Sequence, residues 1–443
     1  MSSTSDAPRK RRPSERWTSF DDWNYDGMKE RLEGFMASIN KKSLTAHAEA
    51  VLNSPLSMSD AFSAGQYWCC FELVAPDSRL IIARVRLPKH PNSSASDADE
   101  EYLIQCEAAT MKFVQANVAT IPVPTLYACE MPGSPRAAEA GAAYILIEGF
   151  YGNAVQDINH SIYDLPNSTQ ERLIAQWTSF QAELAAFTFP RIGSISQFSP
   201  DTGATVGKLA TASADSLAIA GPFQSGRDYL VAVAEARLNQ ELHRKNSDSE
   251  TDDFTALGFL VFRNIVRDTN IFKGDQGPFH FNHMDMGIQN ILVDDDFNII
   301  AVIDWEFAQS APWEVICYPM PISIINSDEE IKEILGNPGH IGHRNVSRQA
   351  ATRGLYRQKF KEAESALMAR GRPLRVSIAE TLEGKASRIY GLAEKLGIFK
   401  GMAEDLTYEM LRLGHGLTGL EAKRHLEKVK AEANGAFDTS MSH

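Results

Sequence analysis

Short bursts of apolar residues dominate the first third of the chain, and helical spacing takes over in the rest. Runs near residues 67–75, 79–87, 125–130 and 143–148 are β-rich and bounded by turn formers, so they predict strands. Between them, Tyr102 to Val114 repeats apolar residues at the spacing of one helix face, and Lys42 to Asn53 predicts an earlier helix. Pro132-Gly133-Ser134-Pro135 and the alanine-rich run after it read as a loop between the last two strands. Below residue 152 the pattern is mainly helical. One amphipathic stretch runs to Phe187, with Ser168 or Thr169 as its cap, and another spans 226–245. Long helices are expected at about 345–370 and 375–432. Asn246 to Asp253 reads as a charged linker, and Pro312 to Pro321 as apolar and irregular.

One interruption of this helical half carries the chemistry. Ile291-Leu292-Val293 and Ile299 to Ile303 flank the turn-rich Asp294-Asp295-Asp296-Phe297-Asn298, which predicts a β-hairpin. Asn290 enters its first strand and Asp304 leaves its second, so two oxygen donors converge where a hard cation such as Mg2+ can be held. Asp285 lies just upstream, placed to orient a hydroxyl beside the γ-phosphate of ATP and to accept its proton. His283 is expected to be structural, holding this loop by hydrogen bonds.

Two features upstream suit the same chemistry. Leu80 to Leu87, ended by Pro88, alternates so that Arg84 and Arg86 share one face of a strand. Glu107 falls on the apolar stripe of Leu103, Ile104, Met111 and Val114, where a carboxylate is costly unless a cation pairs with it. Arg86 is the candidate partner; the alternative is that Glu107 flanks the stripe and reaches solvent.

The stretch from Phe279-His280-Phe281-Asn282-His283 through Ile303-Asp304-Trp305-Glu306-Phe307 resembles the catalytic core of the aminoglycoside phosphotransferase and choline kinase group, specifically its fungal members. The resemblance extends over about residues 55–330, through Arg86-Leu87-Pro88, Glu107-Ala108-Ala109-Thr110-Met111, Ile121-Pro122-Val123-Pro124 and Tyr144 to Glu148. It implies an α+β, bilobal protein-kinase-like fold with a small β-rich lobe and a larger, mainly helical one. It also implies ATP and Mg2+ as cofactors. Arg86, with Arg84 as substitute, is the implied phosphate contact and Glu107 its ion-pair partner. Ser63 and Gly65 stand in Phe62 to Trp68, where the group folds a loop over the phosphates. Glu148 opens the hinge at 148–152, where backbone groups can hold adenine.

Composition narrows the partners. With 443 residues, 43% apolar and 23% charged, the chain is an ordinary globular protein large enough for two lobes. A net charge of −13 argues against nucleic acid as a partner. No run is apolar enough to suggest a membrane span. Five cysteines without C-x-x-C spacing point to reduced thiols and a cytoplasmic setting, while Arg9-Lys10-Arg11-Arg12 is also the kind of run that can direct nuclear import.

The expected organisation is a disordered basic tail at 1–20, a nucleotide-binding lobe at 21–148, a catalytic and substrate lobe at 149–432 and a frayed tail at 433–443. The expected activity is ATP-dependent transfer of a phosphoryl group to a hydroxyl of a small molecule. Two alternatives stay open, a protein kinase and a non-catalytic ATP-binding or scaffold protein of the same fold. The segments around Asp304-Trp305-Glu306 lack the A-P-E-bearing activation segment of a protein kinase, which favours the small-molecule enzyme.

Overall fold

The computed structural model describes residues 11–16, 28–65, 67–88, 96–158, 161–210, 217, 220–247, 253–272, 276–399 and 401–440. Arg9 and Lys10 of the basic run, the remainder of the expected tail apart from 11–16, linker residues 248–252 and the last three residues of the expected frayed end lie outside the described residues. The chain forms two compact units. The first comprises Met1–Leu173, Ile195–Thr205 and Asp285–Glu306, and the second Ile174–Ser194, Val206–Met284 and Phe307–His443. The first unit thus runs past residue 148 and takes in the Asn290 hairpin.

The first unit is built on an antiparallel sheet of β1 (Ser57–Ala64), β2 (Trp68–Val74), β3 (Leu80–Arg86), β4 (Leu126–Glu130) and β5 (Tyr144–Glu148), in the order β1-β2-β3-β5-β4. Strand alternation divides it into two faces. Cys69, Phe71, Leu73, Ile81, Ala83, Val85, Tyr144 and Leu146 pack in one core with Leu44 and Ala48 of helix Lys41–Leu52. Trp68, Cys70, Glu72, Ile82, Arg84, Arg86 and Ile147 therefore belong to the opposite face. Both faces are covered, which is why β2 and β3 read as nearly unbroken apolar runs.

Four sequence expectations need correction. The polar stretch of β1 was not foreseen as a strand; it forms by pairing with β2, with irregular register between Met58 and Ala61 and again before Ser63. The alanine-rich loop contains a short helix, Pro135–Ala140, capped by Ser134 and stopped by Gly141 in the left-handed region. Helix Asn167–Ala185 begins ahead of the proposed caps, and the Pro166 carbonyl accepts the N–H groups of Thr169 and Gln170. The single helix expected over 375–432 is broken into Ile378–Thr381, Lys385–Ala393, Ala403–His415 and Gly419–Ser440, with glycines 397, 401 and 416 at positive φ in the breaks.

Helix Asp97–Asn117 carries Glu107 and starts with a capping box in which Ser96 and Asp99 exchange side-chain and backbone hydrogen bonds. The predicted hairpin is present. Ile291–Val293 pairs antiparallel with Ile299–Val302 and, on its other edge, with Asn153–Ala154 just past the hinge. Asp294 Oδ1 accepts the N–H groups of Asp296 and Asn298 at 3.0 and 2.9 Å, and that closes the turn.

The second unit is mainly helical, with a core that includes Phe262, Ile265, Tyr390, Met410 and Leu411. It also holds a three-stranded sheet of Thr188–Phe189, Phe279–Asn282 and Gln309–Ala311. His280, on the central strand, is 1% exposed and stacks on Trp313 with ring centroids 4.6 Å apart. Burial lowers its pKa to about 3. Folded His280 stays neutral while the unfolded side chain protonates, so stability is full at pH 7 and is lost as pH falls from about 6.5 towards 3. Between pH 7 and 5 this site alone costs up to about 2 kcal/mol by that linkage. His280→Gln, which retains an acceptor for Asn282, should shrink the pH 7-to-5 difference in unfolding free energy measured with urea; an unchanged difference would show that His280 is not the group responsible.

Candidate active site

A cavity of ≈ 300 Å³ in the first unit gathers most of the predicted site residues. Ser63 from the end of β1, Gly65 from the β1–β2 turn, Arg84 from β3, Glu148 at the end of β5, and Asn290, Asp304 and Glu306 at the hairpin base all line it. Its size is at the lower end of small-molecule sites. Gln66, between Gly65 and Tyr67, lies outside the described residues.

The hairpin base brings the oxygen donors together. Asn290 Nδ2 donates to the backbone oxygen and to Oδ2 of Asp285, both at 2.8 Å, and Gln289 Nε2 donates to Oδ1 at 2.8 Å. With the amide nitrogen committed to Asp285, Asn290 Oδ1 is the end available to a cation. Asp304 follows the second strand with φ 63, a left-handed conformation unusual for a residue other than glycine. Strain of this kind is retained where the surroundings fix it, and here the Ile303 N–H bonds to the Asn290 carbonyl at 3.0 Å and locks the two hairpin ends together. Burial, and then the nearby Asp304 charge, push the Asp285 carboxyl up to about 6, against the hydrogen bonds from Gln289 and Asn290.

The cation facing this group is Arg84. Its guanidinium pairs with Glu107 and donates from Nη2 to Asp304 Oδ1 at 3.1 Å, so one side chain joins β3, the helix and the hairpin. Burial opposes its charge, and Glu107 and Asp304 more than offset that, raising its pKa. The expected Arg86–Glu107 pair is therefore corrected to Arg84–Glu107. Arg86 pairs instead with Glu100 at 2.7 Å and approaches Glu306 Oε2 at 3.6 Å. Both arginines share a sheet face, as alternation required. Their separation along β3 decides the rest, since Arg84 is opposite Cys70 while Arg86 is opposite Trp68, at the strand end.

Trp68 and Glu306 were missed as site residues. Arg84 and Arg86 lie 4.8 and 5.1 Å from the Trp68 ring, and its indole N–H donates to Glu306 Oε2 at 3.4 Å. Glu306 is 7% exposed, and its carboxyl is pushed well up by burial and by Asp304 and Glu107. No local sequence signal marks these contacts, because they depend on cross-strand register.

Glu148 accepts from Thr125 N and Oγ1 at 3.1 and 2.8 Å. The N–H groups of Glu148 and Gly149 are already bonded to Thr125 and Leu80 carbonyls, and Phe150 and Gly152 beyond them line the cavity. Gly152 has no room for a Cβ, which would come within 2.5 Å of the Val293 carbonyl oxygen. His283 is fully buried in the second unit. Among the described residues, no three His, Cys, Asp or Glu side chains cluster as a metal site. Asn290 and Asp304 would thus supply two ligands of a shell completed by phosphate and water oxygens, the usual arrangement for Mg2+.

The APH phosphotransferase enzyme family matches residues 85–314, more than half of the chain. The protein belongs to that family. Solved structures similar to this phosphotransferase include the macrolide 2'-phosphotransferase MphH from Brachybacterium faecium, with 14% identity, TM-score 0.39 and coverage of 85% of this chain and 99% of that one. The amicoumacin kinase hAmiN, in complex with AMP-PNP, Ca2+ and Ami, has 10% identity, TM-score 0.40 and coverage of 92% and 95%. APH(2")-IIia, in its GDP and kanamycin complex, has 14% identity, TM-score 0.38 and coverage of 85% and 93%. No curated protein sequence matches the chain. Among the described residues, no helix is long and apolar enough to cross a membrane.

Breaking a buried ion pair from one side costs about 3–5 kcal/mol, because the remaining charge is stranded. Glu107→Ala should therefore lower the unfolding free energy by about 3 kcal/mol on that scale. Glu100→Ala should cost clearly less, since the Glu100 side chain is 14% exposed and that of Glu107 only 2%. Urea titrations of both variants check the assignment, and a larger loss in Glu100→Ala would reverse it.

Proposed function

We propose that this phosphotransferase moves the γ-phosphoryl group of ATP to a hydroxyl of a small molecule, with Mg2+ held by Asn290 and Asp304. The observation that carries the reading is the meeting of Asp285, Asn290 and Asp304 at one hairpin base, beside a cavity that also presents Arg84. Mg2+ bound there would neutralise charge on the phosphate oxygens during transfer. Arg84 supplies the protein's own positive charge to the phosphates, and Glu107 fixes its position. This role falls to Arg84 because it lines the cavity. Arg86 then serves as support, tied to Glu100. Arg in place of Lys suits the task, because its five N–H donors can keep the bonds to Glu107 and Asp304 and still offer N–H groups to phosphate.

Asp285 orients the acceptor hydroxyl. As the acceptor oxygen bonds to the γ-phosphorus and the bridging bond to ADP breaks, the hydroxyl proton passes to the Asp285 carboxylate. The phosphoryl transfer itself needs little more than position and charge compensation. Glu148 and the backbone after Gly149 form the nucleoside end of the cavity, with Ser63 and Gly65 over the phosphates. The acceptor is a small molecule on this reading, and the family match and the absence of an A-P-E segment in the sequence support it. The five free thiols suit a cytoplasmic protein.

Asp304→Ala should abolish Mg-dependent ATP binding in calorimetry; unchanged affinity and turnover would overturn the metal assignment. Asp285→Asn keeps the size of the side chain and removes its charge. Binding of Mg-ATP should survive, while turnover with an acceptor found in an ATP-consumption screen of hydroxylated metabolites falls by about two to four orders of magnitude. Equal loss of binding and turnover would make Asp285 a structural residue.

A further inference from the structure

Glu72 poses a problem that the catalytic reading does not solve. It is 1% exposed in the middle of β2, on the sheet face that carries Trp68, Cys70 and Arg84. Its cross-strand line runs Glu72–Ile82–Ile147, and both isoleucines line the cavity. A carboxylate in an apolar row of this kind is costly without a partner. Strands β3 and β5 offer apolar side chains along that row and no cation.

The partner comes from far upstream in sequence. The backbone N–H of Ser14 donates to Glu72 Oε2 at 3.0 Å, and the Arg12 guanidinium stands 3.9 Å from Oε1. Between these two contacts Pro13 is buried and forms part of the cavity wall. The segment is a single helical turn, Pro13–Arg16, closed by the Arg12 N–H donating to Glu15 Oε2, and it lies against β1. Part of the basic run thus has a structural use. Its position along β2 is informative. Trp68 and Cys70 are opposite Arg86 and Arg84 at the phosphate side, whereas Glu72 is level with Ile147, one residue before the hinge.

We propose that Arg12–Ser14 is a cis-acting wall of the nucleotide site, seated on Glu72 at the hinge end of the cavity, where the nucleoside would lie. The inference rests on the nucleotide reading given above. Both Glu72 and the arm fall outside residues 85–314, the part of the chain that the family model matches. With the arm seated, Pro13 encloses the apolar end of the cavity and the Glu72 charge is compensated. With the arm away, the nucleoside loses one wall and meets an uncompensated carboxylate. The coupling is reciprocal, so a bound nucleotide also holds the arm in place.

Calorimetric titration of Mg-AMP-PNP into the full chain, into a form lacking residues 1–16, into Glu72→Leu and into the combined form tests this. Loss of the arm should weaken binding about tenfold, the equivalent of about 1.4 kcal/mol. In the Glu72→Leu background the same truncation should change affinity less than twofold, because the arm has lost its seat and the carboxylate is gone. Unchanged or tighter binding on truncation, or an equal penalty in both backgrounds, would overturn the proposal. Tryptic cleavage after Arg16 in the full-length chains gives a readout that needs neither truncation nor nucleotide. Cleavage should be severalfold faster in Glu72→Leu than in the wild-type chain, and equal rates would show that Glu72 does not seat the arm. If the wild-type chain bound no Mg-AMP-PNP, the nucleotide reading would fall, while the cleavage rates would still decide the seating.

Discussion

Arg84 is the constraint on which the first unit depends. Its guanidinium is buried on the sheet face, and such a charge survives there only with excellent pairing. Glu107 provides one partner and Asp304 the other, while Trp68 supplies a π-face. The three come from a helix, a hairpin and a neighbouring strand, so satisfying one cation fixes the relative placement of all three elements. Lysine could not do this, because a compact point charge lacks the fork that reaches two carboxylates at once.

The charge balance around Arg84 prepares the site for a cation. Glu100, Glu107, Asp304 and Glu306 lie about the two guanidiniums of Arg84 and Arg86, so carboxylates outnumber their fixed partners. Burial raises the carboxyls of Glu107 and Glu306 accordingly. A site with surplus negative charge, an amide oxygen on Asn290 and a strained Asp304 is suited to take up a divalent ion together with its phosphates. The hydrogen bonds of Asp285 with Asn290 make the proposed base and the proposed ligand one rigid group, so position and electrostatics are set by the same contacts.

The apolar wall shows a different economy. The cavity roof is made by one face of the sheet, whose other face is committed to the core with helix Lys41–Leu52. A glutamate on that roof would be a defect in isolation. Seated against Arg12 and Ser14, it becomes an attachment point by which a segment distant in sequence contributes Pro13 to the cavity.

Much of this was legible in the chain itself. The strands at 80–86 and 144–148, the Glu107 helix and the hairpin between Asn290 and Asp304 follow from apolar periodicity and turn chemistry, which are local. The order of Asp285, Asn290 and Asp304 likewise points to phosphoryl transfer before any coordinates, because the short hairpin leaves its ends nowhere to go but together. Alternation alone placed Arg84 and Arg86 on a common face. It could not say which one meets Glu107, since that depends on cross-strand register and on where helix Asp97–Asn117 crosses the sheet. The same limit hid Trp68 and Glu306. It also hid the pairing of β1, a polar stretch that becomes a strand only beside β2, and the seating of Arg12 and Ser14 on Glu72. Local patterns select the elements, whereas a buried charge chooses its partner only among groups that packing has already brought within reach.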